Sequence, residues 1–121
     1  MIIFISLFIF RLHQNNAQQF VNLAEKFKPI VTSYNGEPYL YEEDALTGKH
    51  GAMGLLNLFE LNDEEVLYLG QVEFQSKDEY EQAIHSMYND EIIKELYEQI
   101  CEVVDVTSMI TSTFQDIKSE V

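Results

Sequence analysis

Thiol chemistry is nearly absent from this chain. Cys101 is its one cysteine, so no internal disulfide can form and no thiolate cluster can hold a metal; a reducing cytoplasm suits such a protein. Positive charge is scarce as well. Seven Lys and Arg stand against 21 Asp and Glu, a formal net charge of −14. A surface that acidic repels phosphate backbones and anionic lipid, so neither nucleic acid nor a membrane surface is an expected partner. Simple solubility accounts for the charge; an acidic docking surface for a basic protein partner is the rival reading. No hydrophobic run is long enough to span a bilayer. Met1 to Phe10 is almost wholly apolar, but ten residues fall well short of a membrane helix. No basic residue precedes the run, as a secretory signal requires, and Arg11 follows it. Linkers, low-complexity tracts and internal repeats are also missing, so residues 1–121 are read as one domain with a polar tail over 115–121.

The clearest positive signal runs from Glu65 to Ile100. Val66 to Phe74 reads as a strand that feeds directly into a helix. Ser76 lies three residues before Glu79, the spacing of a capping box, in which the hydroxyl takes an orphan helix N–H and the carboxylate reaches back. Tyr80, Ala83, Ile84, Met87 and Tyr88 then recur on one helical face. Asn89-Asp90 interrupts that pattern and can cap a new segment, in which Ile92, Ile93, Leu96, Tyr97 and Ile100 form a second apolar stripe.

The rest of the chain fits around this unit. Ile2 to Arg11 predicts a strand rich in β-formers, with Ile3, Ile5, Leu7 and Ile9 on one face and Phe4, Ser6, Phe8 and Phe10 on the other. Both faces are apolar, so both need cover. Leaving Phe4, Phe8 and Phe10 in water would forgo about 1.5–3 kcal/mol for each ring. Helices on one side of a sheet cannot cover both faces, and a second copy of the chain can; this predicts a homodimer. Phe20, Leu23, Ala24, Phe27 and Val31 follow at helical spacing, with Pro29 expected to kink or restart the helix and Gly36 of Asn35-Gly36 expected as its left-handed cap. Tyr39 to Glu42 reads as a short strand and Glu43 to Gly54 as a loop. Leu55 to Leu61 reads as a further strand hairpinned to Val66, and Val106 to Phe114 as the last strand. The order is β-α-β-β-β-α-β. Without one extra short strand it is the split βαβ, ferredoxin-like α+β arrangement: an antiparallel sheet with its helices on one face.

In that order and length the chain resembles the dimeric α/β-barrel superfamily, whose members include the antibiotic-biosynthesis monooxygenases. The likeness is strongest from Glu65 to Phe114: a strand ending Val72-Glu73-Phe74, the capped run Ser76 to His85, the break at Asn89-Asp90, and a closing Thr-rich strand. The resemblance implies two protomers pairing their sheets into a shared barrel, each with a substrate pocket between sheet and helices. It implies no cofactor, and it makes cofactor-independent, monooxygenase-like oxidation by O₂ the expected chemistry if the protein is an enzyme. Haem-degrading relatives use an early-strand Asn, a helical His and a Trp. This chain has no Trp, and Ser6 is the only inward polar residue of its first strand. His85 nevertheless falls on the second helix, where some relatives carry a functional His.

Few residues can carry chemistry. His85, at the edge of an apolar helical face, can orient or deprotonate a phenolic ligand, since its reference pKa lies near 6.5; a partly exposed boundary residue is the plainer reading. Tyr39, Tyr68 and Tyr88 can line a pocket and offer hydroxyls, or they are simply core aromatics. Gly48 to Gly54 with Lys49 and His50 lacks the order of a phosphate-binding loop and reads as a loop flanking the pocket. No metal site is expected, because neither the acidic runs Glu42–Asp44 and Asp63–Glu65 nor the three histidines have ligand spacing. Cys101 is expected to be an inert buried thiol. The function that results is a homodimer binding a small apolar or aromatic molecule. The alternative is a non-catalytic dimeric module, regulatory or structural, that engages a protein partner.

Overall fold

The computed structural model describes residues 3–55 and 60–117. Its elements run β1 (Phe4–His13), α1 (Ala17–Ser33), β2 (Glu37–Glu42), β3 (Glu65–Phe74), α2 (Lys77–Tyr88), α3 (Glu91–Cys101) and β4 (Ile110–Gln115). The strands form a four-stranded sheet in the order β2-β3-β1-β4, every neighbouring pair antiparallel. That is the strand order of a split βαβ unit. The further strand expected over Leu55–Leu61 falls mostly on residues 56–59, outside the described residues. β3 is paired instead by β1 on one side and β2 on the other. No helix among the described residues is long and apolar enough to cross a membrane.

Local chemistry sets the element boundaries. Ser76 Oγ accepts the Glu79 N–H at 3.1 Å, which starts α2 where the capping box placed it and contributes about 1 kcal/mol. The returning carboxylate bond is not made, and Glu79 Oε2 is enclosed without a partner among the described residues. Asp90 starts α3, its Oδ1 accepting the N–H groups of Ile92 (2.9 Å) and Ile93 (3.2 Å). The Tyr34 hydroxyl, just past the end of α1, donates to Asp90 Oδ2 at 2.7 Å and ties the two helices together. Those bonds, the Tyr34 one foremost, hold the Asp90 carboxyl below the usual carboxylate range and raise the Tyr34 phenol.

Three local expectations need correction. The helix is not restarted at Pro29 but continues through it to Ser33. Asn35, not Gly36, takes the left-handed conformation, with φ 69°. Asparagine tolerates that region. Gly36 is demanded by packing instead: a Cβ there would lie 2.8 Å from methyl groups of both Val31 and Val72. The last strand starts later than expected, because Asp105 Oδ1 accepts the N–H (3.2 Å) and hydroxyl (2.6 Å) of Thr107 and turns residues Val106–Ser108 into a 3₁₀ helix. Pro38 sits in β2, an edge strand, where the missing N–H is tolerated.

The helices cover one face of the sheet, and it is the phenylalanine face. Phe10 packs edge-on to Phe20 of α1, with ring centroids 5.1 Å apart, and stacks on Tyr68 at 6.0 Å. Phe4 meets Tyr80 of α2 at 4.8 Å. With Leu12, Leu23, Leu96, Val103 and Val104 these rings build the core. The open face carries the aliphatic side of β1, Ile5, Leu7 and Ile9, beside Leu69 of β3 in register with Ile9. Ile110 and Phe114 of β4 and Tyr41 of β2 extend it, and stand 40%, 51% and 49% exposed. Among the described residues, cover is seen at its far end. There Arg11 donates to the Glu60 carbonyl and pairs with Glu65 at 3.6 Å, and Leu67 is 2% exposed.

Candidate functional site

Each helix contributes one stripe to a cavity over the phenylalanine face. Phe20, Ala24, Phe27 and Val31 of α1 are spaced so that one side of the helix presents them together. Tyr80, Ile84 and Met87 do the same on α2, and Ile93, Tyr97 and Ile100 on α3. The floor is the sheet: Ser6, Phe8 and Phe10 of β1 beside Gly70, Val72 and Phe74 of β3. Together they enclose about 440 Å³, within the range of small-molecule sites.

Two features keep the space open. Gly70 lies directly opposite Phe8, at the centre of the floor, and contributes no side chain. A Cβ there would make only ordinary contacts, 3.7–3.8 Å, with Phe10 and Phe8, so what glycine leaves is volume rather than relief from a clash. At the rim, Ile84, Tyr97 and Tyr88 are 46%, 49% and 79% exposed. Exposed apolar side chains from α2 and α3 thus stand around the mouth of the cavity.

Polar groups at the cavity are few. Ser6 is 8% exposed on the floor. Lys28 reaches the rim but is engaged by Glu25 at 3.0 Å. The Tyr97 phenol is raised by its neighbour Cys101, one helical turn on, and by burial. Among the described residues, no group of three or more His, Cys, Asp or Glu is placed to hold a metal ion.

The residues singled out from the sequence are distributed unevenly around this cavity. Tyr88 stands at its rim. Tyr39 borders it at the edge of the sheet, but its ring lies on the opposite face, stacked on Tyr41 with centroids 6.4 Å apart, and its phenol is raised first by a hydrogen bond with Glu37. Tyr68 is core and does not line the cavity; its hydroxyl donates to Glu42 Oε1 at 3.2 Å, and burial is the main cause of its raised pKa. His85 is exposed on α2, one residue past Ile84 and off the lining. Its carbonyl accepts the Asn89 side-chain amide at 3.2 Å. None of residues 43–55 lines the cavity, so the glycine-rich loop does not flank it.

Gly70 and Tyr97 went unnoticed as site residues, although their signals were present: a glycine in mid-strand, and a position four residues after Ile93 on the same stripe.

Cys101 is exposed rather than buried. It follows Ile100 by about 100° around the helix, which carries it off the apolar stripe. A thiol reagent such as 5,5′-dithiobis(2-nitrobenzoate) is therefore expected to titrate one thiol per chain in the native protein, as fast as in a denatured control to within about tenfold. Protection until unfolding would place Cys101 inside the core.

No protein-family model matches the chain, and no curated protein matches it. Solved structures do. A dimeric ferredoxin-like protein from an uncultured marine organism aligns over 100% of both chains, with 13% identity and a TM-score of 0.54. The fold is ferredoxin-like. A conserved protein from Methanosarcina mazei Go1 aligns over 98% of this chain and 95% of its own, with 16% identity and a TM-score of 0.56. An uncharacterised NIPSNAP domain protein from Burkholderia xenovorans aligns over 96% of this chain and 94% of its own, with 8% identity and a TM-score of 0.53. At such identities the likeness extends to the fold alone.

Proposed function

We propose that this protein is a homodimeric binding domain for a small, largely apolar or aromatic molecule held between its sheet and its helices. The observation that carries the reading is the cavity of about 440 Å³, floored by Phe8 and Gly70 and ringed by exposed Ile84, Tyr88 and Tyr97. A chain that folded only to fill its own core would set a side chain at Gly70, since one fits there. The open aliphatic face of β1 supports the dimer, and so does a neighbour of the same fold described as dimeric.

Cofactor-independent oxidation of the bound molecule is the activity that the likeness to the antibiotic-biosynthesis monooxygenases adds. Geometry favours binding over a reaction run by His85, whose side chain is exposed and off the lining. If the protein oxidises its ligand, His85→Ala is expected to leave the rate within about twofold; a loss beyond a hundredfold with an unchanged fold would restore His85 as a base.

The binding reading is tested with N-phenyl-1-naphthylamine, a neutral probe that fluoresces on entering apolar surroundings. The native protein is expected to take up one probe per chain. Gly70→Phe sets a ring into the centre of the floor and is expected to abolish uptake while circular dichroism and mass in solution stay the same. Equal uptake by Gly70→Phe would show that the probe sits elsewhere and would overturn the reading.

A further inference from the structure

We propose that Ser6 is the polar anchor of this cavity, and that the ligand is a neutral aromatic molecule carrying one hydroxyl or carbonyl oxygen, seated against Ser6 Oγ. The inference rests on the binding reading above and narrows its ligand class.

Ser6 is on the helix-facing side of β1, opposite Val72 of β3 and Thr113 of β4. It lines the cavity and is 8% exposed, yet its hydroxyl makes no hydrogen bond among the described residues. Phe8, Val72 and Phe74 share the floor with it, and Tyr80, which also lines the cavity, has its ring held against Phe4 and Phe74 at 4.8 and 5.5 Å. The hydroxyl opens on an apolar cavity, so a ligand that fills the cavity strips water from it, and a ligand that supplies a hydrogen-bond partner avoids that loss.

The same surroundings limit the charge of the ligand. Among the described residues the one cation at the cavity is Lys28, which is at the rim and already paired with Glu25. A carboxylate driven to the floor would lose its hydration with no countercharge, whereas a neutral hydroxyl or carbonyl needs only the single bond that serine offers, as donor or as acceptor. The cavity walls supply rings and branched aliphatics, which suit a flat apolar body.

The experiment is displacement of N-phenyl-1-naphthylamine by naphthalene, 2-naphthol and 2-naphthoate from the native protein and from Ser6→Ala and Ser6→Thr. On the native protein 2-naphthol is expected to compete about threefold to tenfold better than naphthalene, the worth of one neutral hydrogen bond, and 2-naphthoate worse than either. Ser6→Ala is expected to erase the naphthol advantage and keep naphthalene binding, while Ser6→Thr, which retains a hydroxyl, restores it. Because the hydroxyl has no partner to lose, Ser6→Ala is also expected to melt no lower than the native protein. A naphthol advantage that survives in Ser6→Ala overturns the anchor but leaves the cavity reading standing. So does preference for the naphthoate, which would point to a cationic anchor, or a marked fall in melting temperature, which would give Ser6 a structural bond. Failure of the probe itself to bind the native protein overturns both.

Discussion

Leu7→Asp is expected to turn the protein into a folded monomer. Leu7 lies in the middle of β1, opposite Gln71 on one side and Ser112 on the other, on the sheet face that α1, α2 and α3 leave uncovered. In a dimer that pairs these faces, two-fold symmetry introduces the substitution twice, and each copy sets an unpaired carboxylate into an apolar interface. At upwards of about 2 kcal/mol for each, the dissociation constant rises by about a thousandfold or more. Sedimentation velocity at micromolar concentration reads the outcome directly, with circular dichroism as the check on folding. A mass of twice the chain that persists in Leu7→Asp would show that the copies associate through another surface. Phe8→Asp, one residue further along the strand, is the wrong probe for this face. Phe8 points to the other side of the sheet and lines the cavity, so its replacement alters the cavity rather than the open face.

Phe10→Ala is expected to cost about 3–5 kcal/mol of stability, the usual loss for a large ring removed from a packed site. Phe10 is 6% exposed and touches Phe20 and Tyr68 at the centre of the buried cluster, where the neighbouring rings cannot collapse into the gap without leaving each other. Domains of this size hold about 5–15 kcal/mol in total, so the variant is expected to lose about a fifth or more of its stability. Urea unfolding measures this, provided its slope is unchanged. Phe8→Ala, two residues earlier on the same face, is expected to cost clearly less, since Phe8 is only half-buried and borders open volume. Equal costs at the two positions would mean that the helices close down over Phe8 in solution and that the cavity is filled by the protein itself.

Several boundaries were legible because their causes are local. Ser76 and Asp90 start α2 and α3 through hydrogen bonds that span two or three residues, and a side chain with that reach at that spacing is visible in the sequence. The helical stripes that wall the cavity follow from the same short-range periodicity. Cys101 shows how sharp the boundary is: one residue beyond the partly buried Ile100 is already the exposed side of the helix. Where two residues share a local signal, as Asn35 and Gly36 do, the sequence points to the turn but not to the division of labour. Contacts from Val31, Val72 and Phe74, brought from a helix and a distant strand, make the glycine necessary.

The sequence by itself determined the starts of α2 and α3, the antiparallel ferredoxin-like plan and the fact that β1 has two apolar faces. Only the tertiary structure decided which of those faces is buried. Alternation along a strand divides its side chains into two sets, but it has no sign, and either set can face the helices. The choice falls to the long-range fit of Phe10 against Phe20 and of Phe4 against Tyr80. Once the rings go inward, the rest follows by geometry: Ser6 and Gly70 come to lie on the floor of the cavity, Tyr39 is turned to the opposite face, and Leu7 is left where a second copy can cover it.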